Sequence, residues 1–250
     1  VTAGAATQLA VSRQPSAIAA SGAVLATQPK IQLQDQFGNP VAEAGKLVVA
    51  ALTSAGGRTL SGTVAVPTDT AGVATFTNVA IGGPTGSTTL TFTQEALTAA
   101  TSGAINVTAG AAAKLAVSQQ PSATATSGAV LAPQPKIQLQ DQFGNPVAEA
   151  GKLVVAALTS TVGRTLGGTV AVPTDAAGVA TFTNLAISGP TGVTTLTFTQ
   201  DALTAATSSA IEVTAGAAAK LAVSQQPSAI AAAGAVLAPQ PKIQLQDQFG

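Results

Sequence analysis

The sequence is one 106-residue unit written more than twice. VTAGAA opens at Val1, again at Val107 and again at Val213. Residues 1–106 align with 107–212 without a gap and differ at 16 positions. A third copy begins at Val213 and reaches Gly250, the counterpart of Gly38 and Gly144. This period is well above the roughly 20–50 residues of solenoid repeats, and each unit is long enough to bury its own core. The expectation is of domains in series, at 1–108 and 109–214, with a partial one at 215–250. Val1 is not a start methionine and Gly250 falls in mid-turn, so the reading is of a segment from a longer array. Most differences between copies exchange small or polar groups, as in Thr7/Ala113, Gln8/Lys114 and Gly56/Val162.

Within one unit the hydrophobic period is that of strands. Leu9 and Val11 alternate with small or polar neighbours, as do Ile31, Leu33 and Phe37 with Gln32, Gln34 and Gln36. The run from Lys46 to Thr53 is nearly all apolar and reads as a strand buried on both faces. Val64 and Val66, Leu90 and Phe92, and Ile105 and Val107 supply further alternations. Val73 to Ile81 reads as one strand whose parity shifts between Phe76 and Val79, which predicts a bulge near Asn78. Turn signals punctuate these runs: Gln14-Pro15-Ser16, Gly38-Asn39-Pro40, Gly56-Gly57, Pro67-Thr68-Asp69 and Gly82-Gly83-Pro84. The Ala-rich stretch from Ala17 to Ala26 is interrupted by Ser21-Gly22 and is too short for a capped helix. Seven short strands in about 100 residues predict an all-β, Ig-like sandwich. Its core would rest on Phe37, Phe76 and Phe92, and in the second copy on Phe143, Phe182 and Phe198. Joints such as Ala109 to Ala112 are too short to let domains swing freely. A tandem array then makes a semi-stiff rod of roughly 35–45 Å per unit.

Composition narrows the function. The 250 residues include no Cys, His, Met, Trp or Tyr, and only seven Phe. Without Cys there are no disulfides, thiolate nucleophiles or zinc-thiolate sites. Without His the commonest general base and metal ligand is missing. Charged residues make up 8% and the net charge is zero, a poor match to nucleic-acid binding. The longest apolar stretch, Ala229 to Ala238, is half the length of a membrane span. Low charge and neutrality favour association with neighbouring copies.

Two motifs recur at fixed spacing. The first is Asp35-Gln36-Phe37-Gly38-Asn39-Pro40-Val41, repeated from Asp141 to Val147 and again, as far as Gly250, from Asp247. The second is Thr68-Asp69-Thr70-Ala71-Gly72-Val73-Ala74-Thr75-Phe76, repeated from Thr174 to Phe182. With the closing Leu90-Thr91-Phe92, this combination resembles the bacterial Ig-like domain of the invasin/intimin type across all three copies. The resemblance implies tandem arrays in bacterial surface adhesins and secreted filament or stalk proteins, at the cell surface or outside it. The Ala/Thr richness and low charge go beyond that family's usual pattern.

Candidate site residues follow from the same motifs. Asp35 and Asp141 are calcium-ligand candidates, with the Asn39 carbonyl as a partner. Calcium needs six to eight oxygens, whereas Asp35, Glu43, Asp69 and Glu95 are far apart in sequence. The competing reading is that Asp35, Gly38, Asn39 and Pro40, with Asp141, Gly144, Asn145 and Pro146, are turn residues, the carboxylate accepting backbone N–H groups. Asp69 and Gly72, with Asp175 and Gly178, read as a hairpin turn. Asp69 with Glu95 or Asp35 as an acid/base pair would also need an aromatic-lined cleft. Ser54, Ser61 and Ser102 have no His to activate them, which leaves only a formal Ser–Lys dyad with Lys30 or Lys46. No enzyme, cofactor or nucleic-acid partner is expected. The leading function is a structural repeat of an extracellular stalk, fibre or adhesin. The alternative is an adhesive module whose loops contact a host receptor or glycan, with Arg58 and Arg164 as the long loop cations.

Overall fold

The computed structural model describes residues 2–250. The described residues hold strands and no helix, so none is long and apolar enough to cross a membrane as a helix. The chain forms two compact units. The first comprises Val1–Ala113 with Gln140–Val147, the second Lys114–Leu139 with Ala148–Gly250.

In the first copy the strands are β1 (Gln8–Arg13), β2 (Ile18–Ala20), β3 (Lys30–Gln34), β4 (Leu47–Leu52), β5 (Thr59–Ser61), β6 (Ala65–Pro67), β7 (Val73–Thr75), β8 (Ala80–Gly82), β9 (Gly86–Thr88), β10 (Leu90–Thr93), β11 (Ala100–Thr101) and β12 (Ile105–Thr108). One sheet has the order β1-β3-β7 and another β11-β10-β4-β6. Smaller sheets β2-β12-β9 and β5-β8 complete an Ig-like β-sandwich. The same twelve strands recur 106 residues later, from Lys114–Gln119 to Ile211–Thr214. The third copy contributes one hairpin, Lys220–Gln225 paired with Lys242–Gln246.

The core forms where inward positions of both main sheets meet. Leu9, Ile31, Leu33 and Ala74 come from one, and Val48, Ala50, Leu90 and Phe92 from the other. Phe76 packs on Phe92 with ring centroids 5.5 Å apart and planes tilted by 53°. Phe182 and Phe198 repeat the pair at 5.5 Å and 48°. Such tilted pairs set the negative ring face against a positive edge.

Phe37 and Phe143 are not core residues. Phe37 is 80% exposed and Phe143 41%. Both share the inward parity of their strands, but the strands end at Gln34 and Gln140. The buried Asp35 and Asp141 take the next inward place. Gly38 and Gly144, at φ of 84° and 89°, then turn the chain outward, a conformation that L side chains resist.

Two strand expectations also change. β4 buries Val48 and Ala50 but leaves Leu47 and Val49 exposed. Its apolar run therefore lines only one core. The parity shift after Phe76 is a change of sheet, not a bulge. β7 pairs with β3, and after Phe76 the chain crosses so that β8 pairs with β5. Twelve strands replace seven because the Val73–Ile81 run divides into β7 and β8, and because β2, β5, β9 and β11, each only two or three residues long, are added. That is too short for an alternation to declare itself in Ala, Gly, Ser and Thr.

Candidate functional site: a carboxylate-centred turn and the surface facing it

The Asp-Gln-Phe-Gly-Asn-Pro motif leaves β3 and returns to it, with Gln34 bridging Pro40. At its centre each Asp35 carboxylate oxygen accepts two N–H groups. Oδ1 takes the amides of Phe37 at 3.0 Å and Asn39 at 2.9 Å. Oδ2 takes the Asn39 side-chain amide at 3.0 Å and the Gly4 amide at 3.0 Å. The Asn39 side chain, then Gly4 and the turn amides, outweigh the opposing effect of burial and draw the carboxyl down to about 2. Four donors directed at one carboxylate stabilise its charged form.

The turn repeats with the same partners. Asp141 accepts from Phe143, Asn145 and the joint residue Gly110. Burial pushes its carboxyl up, but the Asn145 side chain and the three amides prevail and hold it below the ordinary range. Asp247 is also lowered, by Gly216 first and then Phe249, against burial, with Gly250 and the Lys220 charge adding to the effect. Each Asp thus ties its turn to the segment that opens its own copy.

This shell is the reverse of what a cation needs, because the oxygens face N–H dipoles. The Asn39 carbonyl accepts from the Asp35 amide at 3.0 Å. The other acids are not gathered nearby. Glu43 pairs with Lys46 at 2.8 Å. Asp69 accepts the Ala71 and Val73 amides, both at 2.9 Å, and Asp175 does the same for Ala177 and Val179. Gly72 has φ of 72°, and a Cβ there would strike the Val41 carbonyl oxygen. Among the described residues no three acids, His or Cys gather as a metal would require.

Sequence reasoning missed what faces the second turn. Within the first unit, Asn145 extends its amide to the Gly82-Gly83-Pro84-Thr85 corner. Its Nδ2 donates to the Gly83 carbonyl at 2.9 Å, and its Oδ1 accepts the Thr85 amide at 3.1 Å. Ser21 fixes the same corner, donating to the Gly83 carbonyl at 2.7 Å and accepting the Gly83 amide at 2.9 Å. Arg58 holds it from the other side, giving Nε to Pro84 and Nη2 to Thr85. Arg164 repeats this at Pro190 and Thr191. These partners lie tens of residues apart, and only the glycines at 82 and 83 hint at them in sequence. The two arginines, candidate ligand anchors by sequence, are committed to backbone carbonyls.

No family model matches the chain, and no curated protein matches it. Solved structures similar to it include the FdeC adhesin of Escherichia coli, at 18% identity over 100% of this chain and 77% of that one, with a TM-score of 0.38. The D00-D0 domain of intimin is similar at 12% identity over 83% and 98%, with a TM-score of 0.44. InvD of Yersinia pseudotuberculosis is similar at 17% over 97% and 70%, with a TM-score of 0.36.

Proposed function

We propose that the chain is a structural repeat segment of an extracellular bacterial surface protein, serving as a semi-rigid spacer. The observation that carries this reading is where its few polar side chains are spent. Asp35, Asp141 and Asp247 bind their turns and joints. Asp69 and Asp175 bind hairpins. Arg58 and Arg164 brace corners. Each is an internal fastening repeated at the same place in successive copies, as a mechanical spacer needs and a catalytic cleft does not. The sequence resemblance to invasin/intimin-type domains supports the same location, at the cell surface or outside the cell. The binder reading loses its two long cations, since anchors of an interface must reach a partner.

Small-angle scattering on chains of one, two and four repeats tests the proposal. A spacer lengthens by the same increment with each added copy. A maximum dimension that stops growing beyond two copies refutes it.

A further inference from the structure

Each complete copy bonds its second strand to its last, and the two run in the same direction. In the first copy β2 lies parallel to β12, with Ile18 against Asn106, Ala19 against Val107 and Ala20 against Thr108. The Asn106 amide donates to the Ala17 carbonyl at 2.8 Å, and the Ser21 amide to the Thr108 carbonyl at 2.9 Å. These two bonds bracket the ladder, whose bonds are evenly spaced in a parallel pair. Just before it, the Gly103 amide donates to the Gln14 side-chain carbonyl at 2.8 Å. Beneath the ladder Ala19 and Val107 are buried. On its other side β12 pairs antiparallel with β9, whose leading corner is held by Arg58.

The second copy repeats the arrangement. Thr124–Thr126 lies parallel to Ile211–Thr214. The Glu212 amide donates to the Ala123 carbonyl at 2.8 Å, and the Ser127 amide to the Thr214 carbonyl at 2.9 Å. The Ser209 amide donates to the Gln120 side chain at 2.8 Å. Three of the 16 differences between copies fall on this pair of strands: Ile18/Thr124, Ala20/Thr126 and Asn106/Glu212. All six side chains are exposed, and none of the changes removes a backbone bond, so the ladder is the same in both copies.

A pull between the two ends of a copy draws the early strand toward its own N-terminus and the last strand toward its own C-terminus. Because β2 and β12 are parallel, they must slide past each other along their shared direction, and every bond of the ladder is strained at once. Were they antiparallel, the same pull would part the bonds one after another. A single backbone hydrogen bond contributes little by itself, so simultaneous straining is what makes the pair resist. β1 can slip from β3 and free only the residues before Gln14; the copy stays closed while β2 holds β12. We propose that this parallel pair is a shear clamp, the contact that sets the tension at which a copy opens. The clamp deepens the spacer reading and rests on it only for the direction of the pull. Equal increments in scattering judge the spacer separately.

The test is single-molecule pulling on the 250-residue chain held by its two ends. Two opening events are expected, each releasing roughly 300 Å of chain from between the paired strands. Val107→Ala and Val48→Ala each remove the same two carbon atoms from a buried valine of the first copy, one in the clamp and one in β4. Both lower that copy's thermal stability. Only Val107→Ala is expected to hasten one of the two openings, about tenfold at fixed tension. The double substitution Ile18→Cys with Asn106→Cys acts on directly facing, exposed positions in a chain with no other Cys. Oxidation is expected to remove one opening event and reduction to restore it. Openings hastened equally by the two valine changes, an opening indifferent to Val107→Ala, or two events that persist with the disulfide formed overturn the clamp. Even lengthening in scattering alongside any of these results leaves the spacer standing and the clamp refuted.

Discussion

At the scale of single residues, the sequence differences between copies report on backbone as well as on contacts. Gly56 sits at φ of 50°, and its counterpart Val162 at 30°. The left-handed region costs an L residue about 1–2 kcal/mol, and a β-branched one is an outlier there. Val162 is also exposed, so the strain buys no packing. Val162→Gly is therefore expected to stabilise the second unit by about 1 kcal/mol after the added freedom of glycine in the unfolded chain is counted. Calorimetry reads this as a rise of roughly 4–8 °C in that unit's melting temperature. Gly56→Val should lower the first unit's by a similar amount. The Asp35 carboxyl makes a second residue-scale prediction. Its folded value of about 2 lies below the ordinary value near 4. A depressed carboxyl contributes stability that is present above the unfolded value and is lost as pH falls through the folded one. Asp35→Asn should thus melt below the parent at pH 6, and the two should converge as pH drops from about 4 toward about 2.

At the scale of elements, legibility follows the length of the alternation. β1, β3, β6, β10 and β12 are readable because Leu9, Ile31, Leu33, Val66, Leu90, Phe92, Ile105 and Val107 keep period two between turn residues. β2, β5, β9 and β11 are specified only by the partners they meet, such as Ile18 to Ala20 lying parallel to Asn106 to Thr108. The Asp35 turn was legible because an Asx side chain caps its own following amides. The Asn145 bonds to Gly83 and Thr85 were not, since they join residues about 60 positions apart. Phe37 shows the limit of parity, which holds only while the strand lasts. The core is a Phe pair rather than a trio, and mutation separates these cases. Phe92→Ala should cost the first unit about 3–5 kcal/mol, as for other buried large-to-small changes. Phe37→Ala should stay within about 0.5 kcal/mol, as at ordinary surface positions. Urea unfolding followed by circular dichroism gives both values; equal costs would return Phe37 to the core.

At the scale of the molecule, each complete copy carries a hydroxyl cluster where the end of β4 meets the start of β10. Thr53 bonds Thr89 and Thr91 there, and Thr159 bonds Thr195 and Thr197 in the second copy. A net charge of zero sets no long-range repulsion between such faces. A chain of two repeats is therefore expected to self-associate, with the weight-average mass in sedimentation rising as concentration increases. Thr53→Lys with Thr159→Lys sets like charges on the two clusters and should weaken that association at least tenfold. Both threonines are exposed, so the melting transitions should hardly move. A mass that stays at the monomer value at every concentration, or an association indifferent to the two lysines, would count against association through these faces.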